Sequence, residues 1–212
     1  IHCELGNEFY DVVKPSNFAN YKLRYKNSTV AESIGLNFKS DKVWCDHFVK
    51  FKPLVKDNFL PIALKYHGHQ FGIYNPEIGD GRGFLFAQVL QKQTNKILDL
   101  GTKGSGKTPF SRAGDGKLTL KGAYREILAT EALDAFGVPT SHTFSVIETF
   151  ESLFRNDEPS PARSAILFRL LHSHIRIGTF QRLLFLDKKK EIEKLLRHVV
   201  KYYYEDINSQ AN

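Results

Sequence analysis

Two lysines, Lys103 and Lys107, share the run 101–108, G-T-K-G-S-G-K-T, and each suits a different chemistry. The run satisfies G-x-x-x-x-G-K-[ST], in which backbone N–H groups wrap phosphates, the lysine reaches their charge and the hydroxyl holds a metal. That mechanism needs a helix directly after the loop, so that helical N–H groups and the dipole face the anion. Here Pro109, Gly114 and Gly116 follow, and such a stretch does not hold a regular helix. The pattern fails on its surroundings, and a P-loop NTPase using residues Gly101 to Thr108 stands as one competitor, with a non-enzymatic basic module that binds nucleic acid or a partner protein as the other.

The other lysine belongs to a different constellation. Residues 79–83, G-D-G-R-G, are either a plain hairpin turn or a glycine cradle whose N–H groups approach an oxyanion while Arg82 supplies a bidentate fork. Lys103 closes the following strand. Glu126 falls on the next helix, on a face shared with Gly122, Ala129 and Leu133 and expected to pack closely, where a carboxylate wants a cationic partner. A strand lysine held by a helix glutamate behind a glycine-rich turn is how protein kinases grip ATP phosphates. A surface lysine and an unrelated glutamate would give the same spacing. Asp115, in S-R-A-G-D-G, either forms a turn or orients a cation or a ribose hydroxyl. Arg82, Lys103, Arg169 and Arg176 together suit a triphosphate, because four neighbouring cations without an anion repel one another. The pairs His67/His69 and His172/His174 lack an evident third ligand, so they read as packed or hydrogen-bonded histidines rather than a zinc site. Lys188, Lys189 and Lys190 read as a solvated helix start.

The elements that must position these groups follow from periodicity. A short strand or turn and a helix near 31–36 are expected early, then a helix over 42–51 stopped by Pro53. The runs 83–90 and 96–103 read as two adjacent antiparallel strands. After a loop over 104–116 come a helix over 119–136 ended by Gly137 and Pro139, a strand over 143–149, a polar loop over 152–164, a strand over 165–171 and an amphipathic helix over 188–204. This order is mixed rather than alternating, which predicts an α+β fold. Eleven of the 15 glycines lie between Gly68 and Gly122, so backbone is wanted close to something there.

Composition bounds the possibilities. The 212 residues, 42% hydrophobic and 25% charged, are those of a globular chain large enough for a single core. The net charge of +7 favours anionic partners. Cys3 and Cys45 form no C-x-x-C, which predicts no disulfide framework and a reducing compartment. No apolar run approaches the roughly 18 residues of a membrane span, so no membrane partner is expected. The chain starts at Ile1 and contains no Met, and it reads as processed or partial.

Six blocks then carry a family resemblance: H-G-H-Q-F-G (67–72), G-D-G-R (79–82), K-G-S-G-K-T-P-F-S-R-A-G-D-G (103–116), Y-R-E-I-L-A-T-E-A-L (124–133), G-V-P-T (137–140) and S-H-I-R-I-G-T-F (173–180). In type and order they resemble the selenoprotein O family, also called YdiU, and F-Y-D-V-V-K-P (9–15) is similar to that family's beginning. The resemblance implies a protein-kinase-like fold that binds ATP in a flipped orientation and transfers AMP to protein Ser, Thr or Tyr hydroxyls. It implies an ATP site of Gly79, Gly81, Arg82, Lys103, Asp115, Gly116, Arg169 and Arg176, with Glu126 holding Lys103 by an ion pair. In the family the loop commonly reads K-G-A-G-P-T-P, so Lys107 in place of that proline creates the P-loop pattern. L-F-R-L-L-H-S-H-I-R stands where R-V-A-P-S-H-I-R is common, with the spacing of the two arginines kept.

The catalytic Asp and the Mg²⁺ ligands, an Asn and an Asp, lie beyond the S-H-I-R block in the family. Asp206, Ile207 and Asn208 do not match them, so the expectation is that base and metal ligands lie beyond Asn212 and that this chain alone binds ATP weakly and transfers no AMP. The expected organisation is a single partial kinase-like domain, about 1–150 mainly the first lobe and about 151–212 running into the second. ATP and protein substrates are the expected partners and nucleic acid is not. The expected compartment is cytoplasmic in a bacterium or mitochondrial in a eukaryote.

Overall fold

The computed structural model describes residues 1–54 and 60–204. Asp206, Ile207 and Asn208 lie outside the described residues. After a single 3-10 turn, His2–Leu5, the elements run β1 (Tyr10–Val12), β2 (Lys22–Lys26), α1 (Ser28–Ser33), α2 (Asp41–Phe48), β3 (Ile62–Leu64), β4 (Gly68–Gln70), β5 (Ile73–Asn75), β6 (Leu85–Leu90), β7 (Ile97–Lys103), β8 (Leu118–Thr119), α3 (Leu120–Ala135), β9 (His142–Leu153), β10 (Ala162–Leu171), α4 (Ile177–Phe185) and α5 (Lys189–Tyr203). Eight strands form one sheet in the order β1-β3-β6-β7-β10-β9-β2, with β8 paired to β10, while β4 and β5 make a separate hairpin. Every strand pair is antiparallel, so the fold is the expected α+β. No helix among the described residues is long and apolar enough to cross a membrane.

Helix starts are set by side-chain caps: Asn27, Ser40 and Thr119 accept the N–H groups of Val30, Val43 and Gly122. These caps explain two displaced boundaries. The helix expected at 31–36 forms at Ser28–Ser33, and the one expected over 42–51 spans Asp41–Phe48. The polar stretch 152–164 is a loop over 154–161 only, because β9 extends to Leu153 and β10 starts at Ala162. Its polarity is absorbed within the sheet, where the Thr149 and Ser164 hydroxyls lie 2.6 Å apart and the Glu151 N–H donates to Ser164 Oγ. The elements β3, β4, β5 and β8 are two or three residues long, too short for periodicity to reveal, and α4 lay hidden within a block read only as a motif.

Strand alternation separates two layers. Along β10, Ile166, Phe168 and Leu170 face α1 and α2, while Ala165 and Leu167 face α3. The first layer is aromatic. Trp44 stacks on Phe144 at 4.7 Å and donates its indole N–H to Ser145 Oγ, and Phe48 meets both Phe144 and Phe168 at 5.0 Å. Full burial of each such ring contributes about 1.5–3 kcal/mol. The second layer uses Leu120, Ala123 and Ile127 of α3. The face expected to pack, with Ala129 and Leu133, points outward instead, and Leu133 is 41% exposed.

One carboxylate in the sheet carries a pH dependence. Glu148 on β9 accepts from Arg163 at 2.6 and 2.8 Å and from Arg24 at 2.7 Å. Hydrogen bonds from Arg163 and then Arg24 outweigh the cost of burial and hold its carboxyl at about 2, below the ordinary 4.5. A depressed folded pKa stabilises the fold above the unfolded pKa, and that contribution disappears as pH falls from about 4.5 to about 2. Glu148→Gln should therefore lower stability by about 2 kcal/mol near neutral pH. Chemical denaturation at pH 7 and pH 3 should show a smaller gap between variant and parent at the lower pH; a constant gap would refute the pairing.

Candidate functional site

The register of β7 and β10 fixes where the cations point. Lys103 lies opposite Leu167 and Gly101 opposite Arg169, and directly opposed residues share a face, so Lys103 and Arg169 both project toward the α3 side. Glu126, one turn and a half into α3, meets both. Its Oε1 contacts Lys103 Nζ, and its Oε2 lies 3.2 Å from Arg169 Nη1. The expected lysine–glutamate pair is therefore present, and Arg169 joins it. Glu126 reaches this position from the edge of the packed face of α3, half-buried beside Ile127, rather than from the outward Ala129 and Leu133 stripe.

Two glycine segments close over the pair. In the loop between β7 and β8, Thr108 Oγ1 donates to the Asp80 carbonyl, Ser111 Oγ to the Gly81 carbonyl, and the Gly104 N–H to the Arg82 carbonyl. A Cβ on Gly81 would come within 2.5 Å of the Phe110 carbonyl oxygen. Close packing of turn on loop therefore requires glycine at this position, a demand beyond the hairpin turn or oxyanion cradle expected of the segment. No helix follows Thr108: turns and bends occupy 109–116, so the context for the P-loop reading is absent.

Turn, loop, β7 and the segment after β10 enclose a cleft of about 840 Å³. All eight expected ATP-site residues line it: Gly79, Gly81, Arg82, Lys103, Asp115, Gly116, Arg169 and Arg176. Arg112, which shares the S-R-A-G-D-G turn with Asp115, lines it too, and Lys117 and Arg155 add two cations that no motif marked. The carboxylates here are committed to cations. Asp115 is paired with Arg155 at 2.8 Å and accepts the Lys117 N–H, and these contacts outweigh burial to hold its carboxyl below the usual range. Asp80, buried between the two glycines of its turn, lies 3.4 Å from Arg176 Nη2. Burial works against charge on both arginines: Arg169 is lowered, whereas Asp80 and Tyr66 outweigh the effect on Arg176 and raise it.

Several cations retain unsatisfied capacity. The Nε groups of Arg169 and Arg176 are buried without a partner among the described residues, and Arg82 makes no ion pair among them. Such a cluster fits a polyanion. It does not fit a metal. Among the described residues no group of three or more His, Cys, Asp and Glu is placed to hold an ion. His67 bonds Tyr74 through Nδ1 at 2.7 Å, and His174 is buried. Burial holds the His174 imidazole at about 4 against the pull of Asp80, so the ring is neutral at pH 7.

His174 sits over Gly101, where a Cβ would fall 2.2 Å from its Cε1. Overpacking of this kind costs about 2 kcal/mol. Gly101→Ala should therefore lower the melting temperature by about 4–8 °C. Adding His174→Ala should recover part of that loss, and strictly additive losses in a double-mutant cycle would exclude the contact.

Comparison with known proteins places the chain in a family. The family described as "Protein adenylyltransferase SelO" matches residues 2–212. The chain is 48% identical over 204 residues to a protein nucleotidyltransferase YdiU of Synechocystis sp., covering 96% of this chain and 42% of that protein. It is 48% identical over 202 residues to that of Gloeobacter violaceus, with 95% and 41% covered, and 34% identical over 203 residues to that of Vibrio cholerae, with 95% and 40% covered. The chain thus spans about two fifths of the length of these curated relatives. With the family matched almost from end to end and the relatives so similar, the chain belongs to the SelO family of protein adenylyltransferases.

Proposed function

We propose that this chain is the nucleotide-gripping part of a protein adenylyltransferase that uses ATP and modifies Ser, Thr or Tyr hydroxyls of other proteins. The observation that carries the reading is the Glu126 carboxylate shared by Lys103 and Arg169 at the wall of a cation-lined cleft. Glu126 orders the two cations at fixed spacing and leaves their remaining N–H donors for phosphate oxygens. Arg82 and Arg176 supply further donors from two other sides. Preorganised charge of this kind lowers the barrier because it is already aimed where negative charge develops.

In the reaction a substrate hydroxyl oxygen bonds to the α-phosphorus of ATP. The bond from that phosphorus to the oxygen bridging to the β-phosphate breaks, and pyrophosphate leaves with the electron pair. The hydroxyl proton passes to a general base. Arginines and Lys103 hold the charge that accumulates on pyrophosphate. The base and the Mg²⁺ ligands belong, in this reading, to the part of the family's longer polypeptide that this chain does not span. That assignment is supported by the engagement of Asp80 and Asp115 with arginines. The sheet through Leu171 would form the nucleotide lobe, and α4 and α5 would begin the second. In this reading the division would lie beyond β10 rather than near 150, a position inside β9.

Two measurements on the full-length protein test this. Label on the α-phosphate of ATP should pass to protein and label on the γ-phosphate should not; transfer from the γ position would mark a kinase instead. Lys103→Ala should weaken ATP binding by at least about 10-fold, the scale of one charge-assisted contact, while Lys107→Ala stays within about 2-fold. The reverse ranking would restore the P-loop reading.

A further inference from the structure

A carboxylate lining a phosphate-binding cleft is at first sight a misfit, because it repels the anion the cleft is built to take. Asp80 is such a group, only 6% exposed and set between Gly79 and Gly81. Its two oxygens face different partners. Oδ2 accepts the Leu64 N–H at 3.0 Å, which ties the turn to β3, and Oδ1 lies 3.4 Å from Arg176 Nη2. The Asp80 backbone is tied as firmly: its N–H donates to the Leu64 carbonyl and its carbonyl accepts from Thr108 Oγ1. The side chain therefore sits on a frame fixed to both β3 and the 104–116 loop. Arg176 is walled on a second side by the ring of Tyr66, 4.9 Å from the guanidinium carbon. Behind these groups lies the buried, neutral His174 ring, its Nε2 3.9 Å from Asp80 Oδ2.

We propose that Asp80 is a positioning residue: seated on β3, it holds the Arg176 guanidinium against Tyr66 at the one angle that presents its free N–H groups to the nucleotide's phosphates. The proposal rests on the ATP reading above and adds to it a residue with no phosphate contact of its own. Asp80 engages one edge of the fork and leaves the rest for the ligand. Asp80 thus stands to Arg176 as Glu126 stands to Lys103 and Arg169, so each side of the cleft has one carboxylate that orders its cations.

Two physical pictures of Asp80 predict opposite signs. If Asp80 were only a stray negative charge, Asp80→Asn would add net positive charge to the cleft and tighten ATP. If it positions Arg176, the amide keeps an acceptor for the Leu64 N–H but grips the guanidinium less well, and ATP weakens. In the full-length protein, Asp80→Asn should weaken ATP and inorganic tripolyphosphate by about 5–10-fold and leave adenosine within about 2-fold. In an Arg176→Ala background the same change should have an effect within about 2-fold, because its route is gone. Tyr66→Leu, which removes the other wall and leaves Asp80 in place, should show the same selective loss toward phosphates and keeps the proposal testable should Asp80→Asn fail to fold. Unchanged or tighter ATP binding by a folded Asp80→Asn protein, equal losses for ATP and adenosine, or undiminished loss in the Arg176→Ala background would overturn it. If the parent protein binds adenosine and ATP equally well and ignores tripolyphosphate, the ATP-phosphate reading falls too, and that outcome is distinct from a parent that binds ATP with an indifferent Asp80→Asn variant.

Discussion

The Glu126 carboxylate, shared between Lys103 on β7 and Arg169 on β10, is the interaction around which the rest is arranged. Two cations on neighbouring strands repel unless something stands between them. A single bidentate carboxylate from α3 removes that repulsion and fixes both side chains. For it to reach them, α3 must lie on one face of the sheet, and Leu120, Ala123 and Ile127 place it there against Val146, Ala165 and Leu167. The opposite face is then free for the aromatic cluster of Trp44, Phe48, Phe144 and Phe168, which gives the sheet the rigidity a charge cluster needs.

The same economy recurs across the cleft. Asp80 faces Arg176, Asp115 faces Arg155, and Lys117 contacts Glu151 at 2.9 Å. The cleft is not a bare patch of positive charge: Lys103, Lys117, Arg155, Arg169 and Arg176 are each held by a carboxylate, while Arg82 and Arg112 have no carboxylate partner among the described residues. Net charge alone, +7 over the chain, would have described an unspecific attraction for anions. Paired charges describe a shaped site.

Much of this was legible in the sequence. Arg82, Lys103, Arg169, Arg176 and Glu126 stand out by type and by the strands and helix that periodicity reveals, but their spacing fits unrelated surface groups as well, and the family resemblance is what joins them into one site. What escaped was long-range. Asp80 and Arg176 are 96 positions apart, and Asp115 and Arg155 are 40 apart, so only the folded chain brings them together. Asp80 was in plain view within G-D-G-R, yet the glycines drew the explanation. Gly81 proved to serve the packing of Phe110 and Ser111 on the turn. The packed face of α3 was misread for a related reason: Ala129 and Leu133 are as apolar as Ala123 and Ile127, and the sequence offered no contrast to tell the two stripes apart. The short strands β3, β4, β5 and β8 are made by neighbours rather than by their own residues, and so left no pattern.

The most direct test of the central claim is a crystal structure of the full-length protein with a non-hydrolysable ATP analogue. Phosphate oxygens should lie within hydrogen-bond distance of Lys103 Nζ and the Arg176 guanidinium, with Glu126 still bridging Lys103 and Arg169. A triphosphate seated instead on Lys107 and Thr108, or Lys103 turned away from both Glu126 and the nucleotide, would contradict it.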